Sequence, residues 1–211
     1  GQRNGGTSFD FTYYYGVVPK DAMEKLAWIA SDIIGFVINT VDEQTLEGEK
    51  QVVKNEKRQR VDNQPYGHGR GIILKALYPK GHPYSWSVIG DLEDLQAATV
   101  DDVKEFYKEF YGPSNMTVVI AGDIKIDETK KMVERWFGEI KPSSNVSADP
   151  KPQPVSLSES KNLFHLDKFA KLPELSIVFP TVEEYHPDAY ALSALAALLS
   201  DGKNSPFYKE I

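Results

Sequence analysis

Two acids carry the first chemical suggestion in this sequence. Glu49 and Glu56 stand seven residues apart within Asp42–Asn63, DEQTLEGEKQVVKNEKRQRVDN. A helical reading puts Glu49, Val52, Val53 and Glu56 at i, i+3, i+4 and i+7, so both carboxylates share a stripe with two valines. If that stripe faces inward, the acids must be paired, hydrogen-bonded or bound to a metal, because an unpartnered buried carboxylate is strongly destabilising. If it faces outward, it is a solvated face on which Glu56 pairs with Arg60 at i+4. Sequence alone leaves both orientations open.

Other chemistries find less support. The chain has no cysteine, so any metal is held by His, Asp or Glu. Its four histidines, His68, His82, His165 and His186, include no pair at i, i+3 or i+4, and no local zinc motif can be written. His82 and His186 each precede a proline and read as turn residues, while His165 reads as a packed histidine in a strand. There is no G-x-S-x-G elbow. The glycines of Gly67–Gly71 follow no strand, which weakens a dinucleotide reading. Tyr13, Tyr14 and Tyr15 are read as core packing rather than as a base-stacking platform.

The elements that must position the two acids follow from periodicity and punctuation. Ser8–Val18 alternates and is predicted to be a strand with one face buried. Asp21 and Glu24 suggest a capping box for a helix whose apolar face runs to Val37. A short helix is expected around Gly69–Leu77. Another is capped by Thr99 and Asp102, with Val103, Phe106, Tyr107 and Phe110 on its apolar stripe. Met116–Ala121 reads as a buried strand, and a helix from about Asp127 to Trp136 ends at Gly138. Lys141–Ser156 is rich in Pro and Ser and reads as a linker. Beyond it, NLFHLDK and LPELSIVFP read as strands, and HPDAYALSALAALLSDG as a helix closed by Gly202. The order suits an α+β fold, an antiparallel-rich sheet with helices packed on one face.

With 211 residues and 41% hydrophobic content the chain can build a core. A net charge of −7 argues against a general nucleic-acid surface or an anionic membrane as partner. No apolar run approaches the ~18 residues that would span a bilayer, so membrane insertion is not expected. The opening GQRNGGTSFDF has no signal-peptide profile and reads as the middle of a protein.

Several stretches resemble one family in order. Asn4–Tyr15 (NGGTSFDFTYYY), Glu49–Glu56 (EKQVVKNE), Gly81–Tyr84 (GHPY), Ile89–Leu95 (IGDLEDL), Tyr111–Asp123 (YGPSNMTVVIAGD), Trp136–Gly138 (WFG) and His186–Leu192 (HPDAYAL) are all similar to the insulinase or pitrilysin family of zinc metallopeptidases. The resemblance implies that Glu56 is a zinc ligand of an E-x6-E pattern and that Glu49 supports the site. It implies that Asn4, Gly5, Gly6 and Thr7 form an edge strand that pairs with a peptide or unfolded substrate, Gly5 replacing a more usual alanine. It also places the family's His-x-x-Glu-His helix upstream of Gly1. The expected chain is therefore an internal fragment of a two-domain duplicated metallopeptidase half. Residues 1–140 would be the later part of the zinc-site domain, 141–156 the linker and 157–211 the opening of a second, homologous domain. Zinc would be bound in the intact parent and none in this chain, which would be inactive by itself. A non-catalytic substrate-binding or structural subunit is the alternative. A homologous partner subunit or self-association, and a setting in a bacterial envelope or an organelle, are further implications of the resemblance.

Overall fold

The computed structural model describes residues 1–143 and 155–210, so most of the predicted linker lies outside the described residues. The chain opens with an antiparallel hairpin of β1 (Gln2–Thr7) and β2 (Thr12–Val17), with Asn4 opposite Tyr15 and Thr7 opposite Thr12. The predicted strand is thus the second arm of a hairpin and starts four residues later than expected. Its alternation holds, but neither face is buried as expected, and Tyr13, Tyr14 and Tyr15 are exposed rather than packed in a core. Phe11, Tyr13 and Tyr15 line one face with ring centroids 6.1 and 6.2 Å apart. On the opposite face the Tyr14 hydroxyl shares a 2.7 Å hydrogen bond with that of Tyr111. Gly6 lets the Tyr13 ring lie close over β1, since a Cβ there would come 2.8 Å from the Tyr13 hydroxyl and the ring would have to shift.

Helix α1 (Met23–Gly35) follows a short 3-10 turn and packs against α6 (Ile126–Phe137). Ala27, Ser31 and Ile34 are its buried residues, and Thr129 and Met132 are those of α6. Ile140 closes the end of this layer over Gly35, where a Cβ would come within 2.9 Å of it. The expected Asp21/Glu24 capping box does not form. Glu24 is instead taken by α6, accepting from Arg135 at 2.5 Å and from the Trp136 indole at 3.3 Å.

Helix α2 (Glu43–Lys57) continues into a π turn over Arg58–Asp62, and α3 (Gly69–Leu77), α4 (Leu92–Ala97) and α5 (Val100–Phe110) follow. The Thr99/Asp102 capping box opens α5 as predicted. Tyr107 binds this helix to α1 by donating to the carbonyls of Ile33 and Ile34, and burial pushes its phenol up to about 12. Phe106 departs from the predicted stripe. It is 57% exposed and leans on Phe110.

The two β1 and β2 strands form the whole sheet among the described residues. An antiparallel-rich sheet with helices on one face is therefore not built here. Met116–Ala121 and the two predicted strands beyond the linker carry no ladder, and Val119, Phe164 and Phe179 stand open to solvent. A strand needs a neighbour to hydrogen-bond, and alternation in one segment cannot supply it. Helices α7 (Ala189–Ser200) and α8 (Pro206–Glu210) end the described chain, with Gly202 in the left-handed region at φ +74° after α7.

Candidate functional site: the carboxylate face of α2

Helix α2 is fixed at its start by a capping box. Asp42 accepts the Thr45 amide at 2.8 Å, and the Thr45 hydroxyl accepts the Asp42 amide at 2.9 Å. The Thr45 backbone and side-chain bonds hold the Asp42 carboxyl below its ordinary range.

The helix is rotated relative to its valines. The face turned towards the rest of the chain carries Lys50, Lys54 and Lys57, and Lys50 is buried at 8% exposure. Lys50 donates to the Gln96 carbonyl at 3.1 Å, Lys54 to the Gln96 side-chain oxygen, and Lys57 to the Gly90 carbonyl at 2.5 Å. A lysine can be buried this way because its stem is apolar and its ammonium finds fixed acceptors. The opposite stripe is open. Val52 is 58% exposed, Glu49 is exposed, and Glu56 is half-buried and pairs with Arg60 at 2.9 Å. Glu49 and Glu56 therefore share one face, as their spacing implied. That face looks outward, which is the solvated orientation.

The third sequence-based element is β1. Its far edge has no strand partner among the described residues, so the backbone of Asn4, Gly5, Gly6 and Thr7 lies on an open lane. The Asn4 side chain accepts the Gly5 amide at 2.8 Å.

Zinc can be tested against this donor set. Among the described residues no group of three or more His, Asp or Glu side chains could hold a metal ion. Glu56 offers one carboxylate on an accessible face, which fits one position of a zinc site and not the whole of it. The histidines do not extend it. His82 and His186 each accept an amide two residues on, at 3.0 and 3.1 Å, as turn residues do. His165 is exposed rather than packed in a strand, and meets His68 edge-on at 5.8 Å.

Sequence reasoning missed the lysine face. Leu46, Lys50, Val53, Lys54 and Lys57 also repeat at helical spacing, and that second stripe was the available signal. It also missed the seat of the segment beyond the linker. Asp167 accepts the Tyr66 amide at 3.0 Å, and the Tyr66 hydroxyl donates to the Leu172 carbonyl at 2.9 Å.

The family description "Peptidase M16 inactive domain" matches residues 97–211, more than half of the chain. The chain belongs to the M16 peptidases, the insulinase and pitrilysin family. It is similar to the zinc protease PqqE of Helicobacter pylori, 29% identical over 214 residues that cover 100% of this chain and 47% of that protein. It is similar to the probable mitochondrial-processing peptidase subunit beta of Schizosaccharomyces pombe, 23% identical over 202 residues, or 94% of this chain and 43% of that one. The crystal structure of a protease from Helicobacter pylori superposes with a TM-score of 0.78 at 27% identity, over 99% of this chain and 50% of that one. The M16 chain described here thus spans about half the length of the relatives it matches.

Proposed function

We propose that this chain is the part of a zinc-dependent endopeptidase that contributes one metal ligand and a substrate-pairing strand, and that it hydrolyses nothing by itself. Glu56 holds the metal in this reading, with Glu49 about two turns behind it orienting Glu56 or a neighbouring ligand. The remaining ligands and the general base come from residues outside this chain. Zinc, when bound, polarises a scissile carbonyl and lowers the pKa of its water. The edge of β1 at Asn4–Thr7 adds an extended peptide to the hairpin by backbone hydrogen bonds, which reads peptide shape more than sequence.

The observation that carries this reading is the inverted polarity of α2. Its lysines are spent on backbone and amide oxygens of the same chain, and two of its four acids, Glu49 and Glu56, share an accessible face on which Glu56 pairs with Arg60. The two-domain arrangement expected from the resemblance, with 1–140 and 157–211 as parts of duplicated domains, belongs to the same proposal. So does assembly with a homologous subunit, which the similarity to a subunit of a processing peptidase supports.

The test is zinc affinity of the full-length protein by chelator competition. Glu56→Gln should lower it by at least the ~10–100-fold that loss of an outer partner costs, and Glu49→Gln by about that range. Unchanged affinity in Glu56→Gln would favour the non-catalytic subunit instead. Zinc-dependent peptidase activity in the purified 211-residue chain would overturn the proposal.

A further inference from the structure

We infer that Lys57 is a positioning residue for the metal-ligand face of α2, an inference that rests on the assignment of Glu56 above. Lys57 follows Glu56 directly, about 100° further round the helix, so its side chain turns away from the carboxylate face and into the chain. Only 13% of that side chain is exposed. Its ammonium donates to the Gly90 carbonyl at 2.5 Å and lies 3.5 Å from an Asp91 carboxylate oxygen.

The acceptor is itself fixed. Gly90 sits at φ +72° and closes a turn by donating its amide to the Ser87 carbonyl at 2.9 Å, a conformation other residues adopt at a cost. Lys57 thus joins the end of α2 to a hydrogen-bonded turn.

The end of α2 is where such a joint matters. Directly after Lys57 the hydrogen bonding widens to a π turn, in which the Asn63 amide reaches the Arg58 carbonyl at 2.9 Å. Glu56 and Lys57 therefore occupy the last α-helical turn, the one that frays first when nothing holds it. Arg60 cannot hold it. Its pair with Glu56 is solvent-exposed, and such pairs contribute little. Lys50 anchors an earlier turn and Lys54 reaches only the Gln96 side chain, so Lys57 is the residue that ties the turn carrying Glu56 to a backbone carbonyl. Loss of its ammonium would leave the Gly90 carbonyl unpaired and would let the Glu56 carboxylate wander from a geometry that metal ligands require within a few tenths of an ångström.

The experiment compares wild type, Glu56→Gln, Lys57→Met, Lys57→Arg and Asp91→Ala in the full-length protein, reading zinc affinity by chelator competition and the helix by circular dichroism. Lys57→Met, which keeps the apolar stem, should weaken zinc about tenfold or more with an unchanged KM for peptide. Lys57→Arg keeps the charge and the N–H donors and should recover affinity to within about threefold of wild type. Asp91→Ala removes the exposed half of the joint and should weaken zinc less than Lys57→Met does. In the 211-residue chain without metal, amides of residues 54–62 should exchange faster in Lys57→Met. Wild-type zinc affinity in Lys57→Met, alongside a loss in Glu56→Gln, would overturn the inference while leaving Glu56 as a ligand. Wild-type affinity in Glu56→Gln would overturn both.

Discussion

The parts of the chain before and after the linker treat apolar side chains in opposite ways. Among the described residues the six buried hydrophobic ones, Ala27, Ile34, Leu74, Val100, Met132 and Ile140, belong to residues 1–143. In residues 155–210 the one buried side chain is Ser205, while Phe164, Leu166, Leu172, Leu175 and Phe179 are largely open. The accessible surface of 17000 Å² compares with about 10,000 Å² for a compact monomer of this mass. The earlier part is stabilised by helix packing and by part-buried polar joints such as Tyr107 to the carbonyls of Ile33 and Ile34. The later part carries strand-like sequence without strands to pair with. Helical segments satisfy their own backbone, so they persist when their surroundings are incomplete, whereas a strand depends wholly on its neighbours.

The largest consequence of that difference lies in hydrogen exchange. Amides of residues 163–179 in the 211-residue chain should exchange close to the rate of an unfolded peptide, while those of α1 and α6 are protected. Strong protection across 163–179 would break the comparison. Core truncation should divide the halves next. Met132→Ala should cost about 2–3 kcal/mol in urea unfolding, the lower part of the usual range because the site is thinly packed. Phe164→Ser should change stability by less than about 0.5 kcal/mol. Thr99→Ala, which removes the cap of α5, should cost about 1 kcal/mol.

Acid should act on the capping boxes of the first part and, in the later part, on Asp167, whose carboxyl the Phe169 and Ala170 amides lower. The Thr99 side-chain and backbone bonds lower the Asp102 carboxyl, as the Thr45 bonds lower Asp42. A carboxyl lowered by folding stabilises the native state above its unfolded pKa and loses that contribution as pH falls through the folded value. Amide protection at the first turns of α2 and α5 should therefore fall below about pH 4, the ordinary carboxylate range. A gain in stability should come from Thr129→Val. The Thr129 hydroxyl is buried without a partner, so this near-isosteric change should raise stability by up to about 1 kcal/mol.

Local signals in the sequence proved legible where both partners lie within a few residues. The Thr99/Asp102 box, the left-handed Gly202, the alternation of Phe11 to Tyr15, and the short helix at Gly69–Leu77 are all of this kind. Asp21 and Glu24 failed for a non-local reason, since Glu24 is claimed by Arg135, 111 residues away. The rotation of α2 was hidden because periodicity counts Val52 and Val53 as inward and lysine as outward. It cannot register that an ammonium has a carbonyl waiting 33 residues on, at Gly90. The E-x6-E spacing was legible, and it put Glu49 and Glu56 on one face. The orientation of that face depended on Gln96 and Gly90, which no pattern within the helix contains.

The lysine joints also bear on ionic strength. Lys20 to Asp123 and Lys125 to Glu128 are exposed pairs of full charges, which salt screens within about 10 Å at 0.1 M. Lys50 to Gln96 and Lys57 to Gly90 join a charge to a neutral carbonyl at contact distance, largely out of reach of dissolved ions. Brine that loosens the edges of this molecule would leave α2 seated, with Glu49 and Glu56 still side by side.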